Sequence, residues 1–151
     1  LSSSQTSTDE LVAHALDLIG EGDIMWTHVT SPFVTSVSYD AIVARYQAAL
    51  AEGYDSLMTP SVIHGFIWDE HGPLNYDRSV EKWPRTQTLP TLHEINSAAF
   101  IAPAHVYRTQ DDRIGLKPYK YGMEKIEGMD IDWPHDFQIA ESMVLQGIAA
   151  V

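Results

Sequence analysis

Asp130 and Asp132 stand two residues apart in Met129-Asp130-Ile131-Asp132-Trp133-Pro134. In an extended segment residues i and i+2 share a face, so a strand end here would bring both carboxylates together while Ile131 turns into a core. Two hard oxygen donors at such a point suit magnesium, which keeps several waters and accepts substrate phosphates as further ligands. The plainer reading is a solvated acidic turn whose aspartates cap the next helix. Pro134 suits the first turn of that helix, where its missing N–H costs nothing. Phe137, Ile139, Ala140, Met143, Val144 and Ile148 follow at roughly helical spacing and predict a helix to about Ala149.

A second group of polar residues follows the apolar run Asp23 to Val29, which reads as a short buried strand. His28 and the hydroxyls of Thr30 and Ser31 lie at its end, the ligand-facing position of an α/β sheet. A histidine that closes a strand and bonds to backbone is the competing reading for His28. Arg78 and Arg85 offer planar forks that fit a carboxylate, or are simply solvated surface arginines. Gln87 lies in the polar run Arg85 to Pro90. His64 and His71 lack the spacing of a zinc-binding H-E-x-x-H pair.

The elements that must hold these groups alternate. Ser7 and Glu10 have capping-box spacing and open a helix with apolar Leu11, Val12, Ala15, Leu16, Leu18 and Ile19. After the first strand a helix is predicted from about Ser38 to Gly53, then a strand over Asp55 to Ile63. This alternation implies an α/β fold with parallel strands. From His64 to Pro90 helical periodicity disappears, and Phe66, Trp68, Tyr76 and Trp83 flank a hairpin signal at Asp69-Glu70-His71-Gly72. Exposed aromatics in such an excursion favour an interface, either as a lid or as an arm against a partner chain. Strands are expected over Glu94 to Ile101 and Tyr119 to Lys125, with one helical turn at Pro103 to Tyr107. The reading is one domain over 1–151, with core 1–63 and 91–151 and the arm at about 64–90.

Bulk properties narrow the function classes. The formal net charge is −12, which argues against a nucleic-acid polymer as partner. Up to Asp77 a single basic residue, Arg45, faces eleven acids, whereas eight basic residues meet ten acids from Arg78 onward. An anionic substrate would therefore find its cations mostly in the second half. No apolar run reaches membrane-span length, and the N-terminus lacks the pattern of a signal peptide. With no cysteine, disulfides and thiolate chemistry drop out, and a cytoplasmic location is expected. No glycine-rich phosphate loop of either common pattern occurs.

In order and spacing, Thr30-Ser31-Pro32, Arg85 to Pro90, Asn96 to Phe100, and Asp130-Ile131-Asp132 followed by Asp136-Phe137-Gln138-Ile139-Ala140-Glu141 resemble the acylneuraminate cytidylyltransferase family, the CMP-sugar synthetases. The resemblance spans nearly the whole chain, including Leu1-Ser2-Ser3 and the first helix. It implies a Rossmann-like nucleotidyltransferase sandwich of three layers, with a mostly parallel sheet and an inserted β-rich dimerisation arm. It also implies transfer of CMP from CTP to an acidic keto-sugar, with release of pyrophosphate, by a homodimer. Asp130 and Asp132 fall where that family holds catalytic magnesium. His28 falls where many members carry a glutamine contacting nucleotide and sugar. Asn96 and Phe100 fall at the sugar pocket, and Arg85 where a sugar carboxylate is bound. Ser97 replaces a usual glycine and Thr86 a second arginine. The family's opening strand and basic loop, which grip the CTP phosphates, have no counterpart in these 151 residues. That leaves two expectations: part of a longer magnesium-dependent enzyme, or a catalytically silent dimeric binding or assembly module.

Overall fold

The computed structural model describes residues 6–150; the resemblance noted for Leu1-Ser2-Ser3 lies outside them. Helix α1 (Thr8–Leu18) starts as its spacing predicts. The Glu10 amide donates to Ser7 Oγ at 3.2 Å and the Ser7 amide to Glu10 Oε2 at 2.9 Å, which satisfies two of the orphan donors of a helix start. Strand β1 (Asp23–Trp26) is shorter than expected. It pairs antiparallel with the end of a later strand, from Asp23 opposite Pro103 to Trp26 opposite Phe100, and Val29 beyond it is fully exposed. Helix α2 (Ser36–Ala51) begins earlier than about Ser38 because Thr35 caps it. Thr35 and Ser38 bond reciprocally, each side chain accepting from the other's amide, which makes Ser38 the third residue of the helix rather than its first.

Strand β2 (Ser56–Ile63) carries Pro60 in its interior although it lies between two other strands. Proline there removes a ladder donor and belongs at a bulge. The register shifts between Met58 and Pro60, and the Thr59 hydroxyl takes over. It donates to the Ala99 carbonyl at 3.0 Å and accepts from the Ala99 amide at 2.9 Å.

Strand β3 (Leu92–Pro103) runs antiparallel to both β1 and β2, and the sheet order is β1-β3-β2-β4, with β4 at Pro118–Lys120 parallel to β2. The mostly parallel sheet expected from the alternation is thus only partly present. β1, β2 and β4 run one way, while β3 reverses between them. The reason lies in the connection. The 64–90 excursion delivers the chain to β3 at the end of the sheet where β2 finished, so it returns alongside β2 without a helical crossover. β4 stops early as a regular strand, but its continuation still donates from Tyr121 to Met58 and from Met123 to Pro60, each at 2.9 Å.

Alternation along β3 builds the two cores. Ala99 and Ile101 join Ile42, Tyr46 and Leu57 beneath α2, while Ala102 joins Val12, Ile24, Val106 and Tyr107 beneath α1 and α3 (Ala104–Gln110). The result is three layers around a mixed sheet. The final helix α4 (Pro134–Leu145) has Pro134 in its first turn, as expected. It ends before Ala149 because Gly147, at φ 67, supplies the left-handed turn; its amide reaches the Val144 carbonyl at 3.0 Å and that of Ile148 the Met143 carbonyl at 2.9 Å.

The excursion is less β-rich than expected. Its regular pairing is an isolated bridge between Trp68 and Pro73 around the Asp69–Gly72 turn, followed by a 3-10 turn at Thr86–Thr88. Side chains hold it instead. Asn75 donates to the Gly65 carbonyl at 2.7 Å and accepts from the Ile67 amide at 3.0 Å, while Phe66 meets Tyr76 and Trp83 edge-on at 5.1 and 5.4 Å. No helix among the described residues is long and apolar enough to cross a membrane.

Candidate functional site

A polar cluster forms just past the end of β1, from four separate parts of the chain. The indole N–H of Trp26 lies 3.0 Å from His28 Nε2, and the Arg113 guanidinium lies 2.9 Å from the same nitrogen. Both partners are donors only, so Nε2 must be the unprotonated nitrogen and the proton sits on Nδ1. Burial and then the positive charge of Arg113 lower the His28 pKa from its ordinary 6.5, against an upward pull from nearby Asp130. His28 is therefore a neutral imidazole at physiological pH. With Nε2 occupied it is a donor through Nδ1, not a general base.

Arg113 lies over Phe100, with the guanidinium carbon 4.1 Å from the ring centre. Its loop is latched to the start of β2. The Gly115 amide donates to Ser56 Oγ at 3.0 Å, the Lys117 amide to Asp55 Oδ2 at 2.9 Å, and Ser56 Oγ to Asp55 Oδ1 at 2.8 Å. A Cβ on Gly115 would collide with the Asp55 carboxylate, so only glycine lets this loop approach so closely.

Asp130 closes the cluster. It does not end a strand: it lies in an irregular segment between a turn and α4. The Ile131 amide donates to the Thr30 carbonyl at 2.9 Å, which anchors the segment to the loop after β1. Burial raises the Asp130 pKa, but bonds from the Thr30 and Ser97 hydroxyls and the Ile131 and Ser97 amides outweigh it and hold the carboxyl below its usual range. Asp130 is thus an ionised hub joining β1's loop, β3 and the approach to α4. Gly128 makes this route possible, since a Cβ there would sit 2.8 Å from Asn96 Nδ2 and 2.9 Å from Ser61 Oγ.

The two aspartates fit a magnesium ion unequally. Asp130 Oδ1 accepts from the Ile131 amide at 3.1 Å, and the Thr30 and Ser97 hydroxyls lie near the same carboxylate. Asp132 is exposed, with only its backbone amide engaged, donating to Asp136 Oδ2 at 3.2 Å. Among the described residues no three histidine or acidic side chains gather as a metal-binding group. Asp132 is an exposed hard-oxygen donor, whereas Asp130 is partly buried beside the Thr30 and Ser97 hydroxyls. A site shared by these two carboxylates would draw its remaining ligands from substrate phosphates and water.

The other expected residues divide. His28 and Thr30 join the cluster. Ser31 lies beside it with its hydroxyl buried and without a hydrogen-bond partner among the described residues. Phe100 is only 2 % exposed and serves as the platform under Arg113, not as a pocket wall. Asn96 is buried as well: Nδ2 donates to Ser61 Oγ and Oδ1 accepts from the Ala98 amide, each at 3.2 Å. Its amide ties β3 to β2, which leaves one N–H and one lone pair of the side chain for a ligand. Arg78 is exposed and lies 5.3 Å over Trp68, and Arg85 is exposed on the arm. Gln87 lines a hollow of about 410 Å³ with His64 and Thr86 at the base of the arm. No contact links Arg78, Arg85 or Gln87 to the His28 cluster among the described residues.

Sequence reading passed over Trp26, Ser97 and Arg113. Arg113 sits in what reads as an ordinary turn, 85 positions from His28. Its only linear hint is a basic residue directly after Asp111-Asp112 in a strongly acidic chain.

No protein-family model matches the chain, and no curated protein matches it in sequence. Among solved structures it is similar to the 4-diphosphocytidyl-2C-methyl-D-erythritol synthase of Anaerococcus prevotii, with a TM-score of 0.63 at 10% sequence identity, over 93% of this chain and 68% of that one. At that identity the likeness is one of fold. What this chain shares with that synthase is a mixed α/β architecture.

Proposed function

We propose that this chain acts as, or within, a cytidylyltransferase that moves CMP from CTP to the hydroxyl of an acidic keto-sugar and releases pyrophosphate. The observation that carries the reading is the convergence of His28, Thr30, Arg113 and ionised Asp130 past the end of β1, where α/β sheets of this kind bind ligands. Two further supports are the fold shared with a synthase named for a diphosphocytidyl product and the ordered motifs of the CMP-sugar synthetases.

In this reaction the sugar hydroxyl oxygen bonds to the α-phosphorus of CTP. The bond from that phosphorus to the β-bridging oxygen breaks, pyrophosphate leaves with the electron pair, and the hydroxyl proton passes to water. His28 contributes an Nδ1–H donor for a phosphate or sugar oxygen. Asp130 keeps the Thr30 loop against β3 and so fixes the shape of the site. Magnesium, when bound, neutralises phosphate charge; Asp132 is the protein carboxylate open to it. The 64–90 arm, with Trp68 and Trp83 exposed, is proposed as the contact between two copies.

The test is pyrophosphate release by the full polypeptide carrying this chain, from CTP with an acidic keto-sugar and separately with a sugar phosphate. Release with the acidic sugar, lost on adding EDTA, is expected. Release with only the sugar phosphate overturns the acceptor class. Absence of release with either, from a stable dimer, favours the silent binding module.

A further inference from the structure

We propose that Arg113 is the anion-holding residue of this site, taking an oxyanion of the substrate on the N–H groups that its protein contacts leave open. The oxyanion is a sugar carboxylate or a CTP phosphate, and the experiment separates the two. The identity of the ligand rests on the cytidylyltransferase reading; the anion site does not.

The guanidinium has five N–H donors in a rigid fork. One points to His28 Nε2 and the guanidinium carbon lies 4.1 Å from the centre of the Phe100 ring, and no other hydrogen bond or ion pair of Arg113 occurs among the described residues. Counter-charges are not scarce. Asp9, Asp111 and Asp112 line a hollow of about 370 Å³ on which Arg113 also borders, yet none of them pairs with it. In a chain with 21 acidic and nine basic residues, an arginine outside every ion pair among the described residues keeps its charge available to an anionic ligand.

The surroundings hold that charge in place. The Phe100 ring and His28 hold the guanidinium from two sides, and the latch of Gly115 and Lys117 onto Asp55 and Ser56 fixes the loop carrying it. His28 offers its lone pair to Arg113, not a second positive charge, so it orients the fork without competing for the ligand. Arg85, the other candidate for the sugar carboxylate, is exposed on the arm, and its side chain makes no hydrogen bond, ion pair or ring contact among the described residues. Planar, preorganised forks are what bidentate recognition of carboxylate and phosphate requires.

The test follows the Arg113 Nε–H resonance of the ¹⁵N-labelled full chain, assigned by its loss in Arg113→Lys. The probes are N-acetylneuraminate, its methyl ester, CTP and cytidine. A saturable shift with N-acetylneuraminate but not its ester identifies a carboxylate; a shift with CTP but not cytidine identifies a phosphate. Arg113→Gln should weaken binding of that anion at least about tenfold, as expected for a charge-assisted contact, with Arg113→Lys intermediate. A resonance unmoved by both anions overturns the proposal, as does unchanged affinity in Arg113→Gln. Should Arg113→Gln fail to fold, the wild-type titration and the Arg113→Lys affinity decide alone. Anion binding at Arg113 without pyrophosphate release would sink the reaction and leave the anion site standing.

Discussion

At the scale of single residues, His28 is the most informative side chain. Two donors converge on one of its nitrogens, so protonation there would turn two attractions into two repulsions. Its folded pKa is depressed from 6.5. Above that value the imidazole is neutral folded or unfolded, and nothing is lost. As pH falls below it, the unfolded chain takes up a proton that the folded chain resists, and stability declines. Thermal midpoints should therefore fall from pH 6.5 downward, and His28→Gln should flatten that slope; parallel slopes would mean His28 is not held as described. Gly115 offers a second test at this scale. Gly115→Ala drives a methyl into the Asp55 carboxylate and should cost ~1–3 kcal/mol in urea unfolding, as overpacking does. It should also move the Arg113 Nε–H resonance.

At the scale of elements, two devices explain why the strands and helices sit where they do. Ser7 caps α1 through a reciprocal bond with Glu10, and Ser7→Ala should lower stability by ~1 kcal/mol in denaturant titration. The Thr59 hydroxyl serves both the amide and the carbonyl of Ala99 beside Pro60. Thr59→Val would bury those two groups unsatisfied, for a loss of ~1–3 kcal/mol each. An unchanged midpoint in that variant would show the bulge tolerates the loss. The capping box could be read directly, because it depends on residues three apart. The bulge could not: proline inside an apolar run signals an interruption, but the rescuing hydroxyl needs its partner strand, 40 residues away.

At the scale of the whole molecule, the arm exposes two tryptophans on a segment outside the sheet. Trp83 is 67 % and Trp68 46 % exposed, whereas the ring contacts of Phe66 with Tyr76 and Trp83 keep the arm's shape. A homodimer should appear by light scattering, and Trp83→Arg should shift it toward monomer without altering the far-ultraviolet circular dichroism. A wild-type monomer at micromolar concentration would remove the arm's proposed role.

Local pattern was sufficient for much of this protein. Capping pairs, apolar periodicity and turn residues located four helices, the β1, β2 and β3 segments and the irregular arm, because each of those signals acts over a few residues. The same pattern set His28 and Thr30 at the end of a strand and Asp130 ahead of a helix. Sheet direction escaped it, since the reversal of β3 depends on where the arm returns the chain. So did the fate of Asn96 and Phe100, whose roles as tie and platform were decided by neighbours across the sheet and above it. Arg113 escaped it most completely. Its charge matters only beside His28 and Phe100, and bringing those three together takes a sheet, a short helix and a latched loop. Residue type sets what a side chain can do chemically; tertiary packing alone decides which of those capacities is already spent and which is left for a ligand.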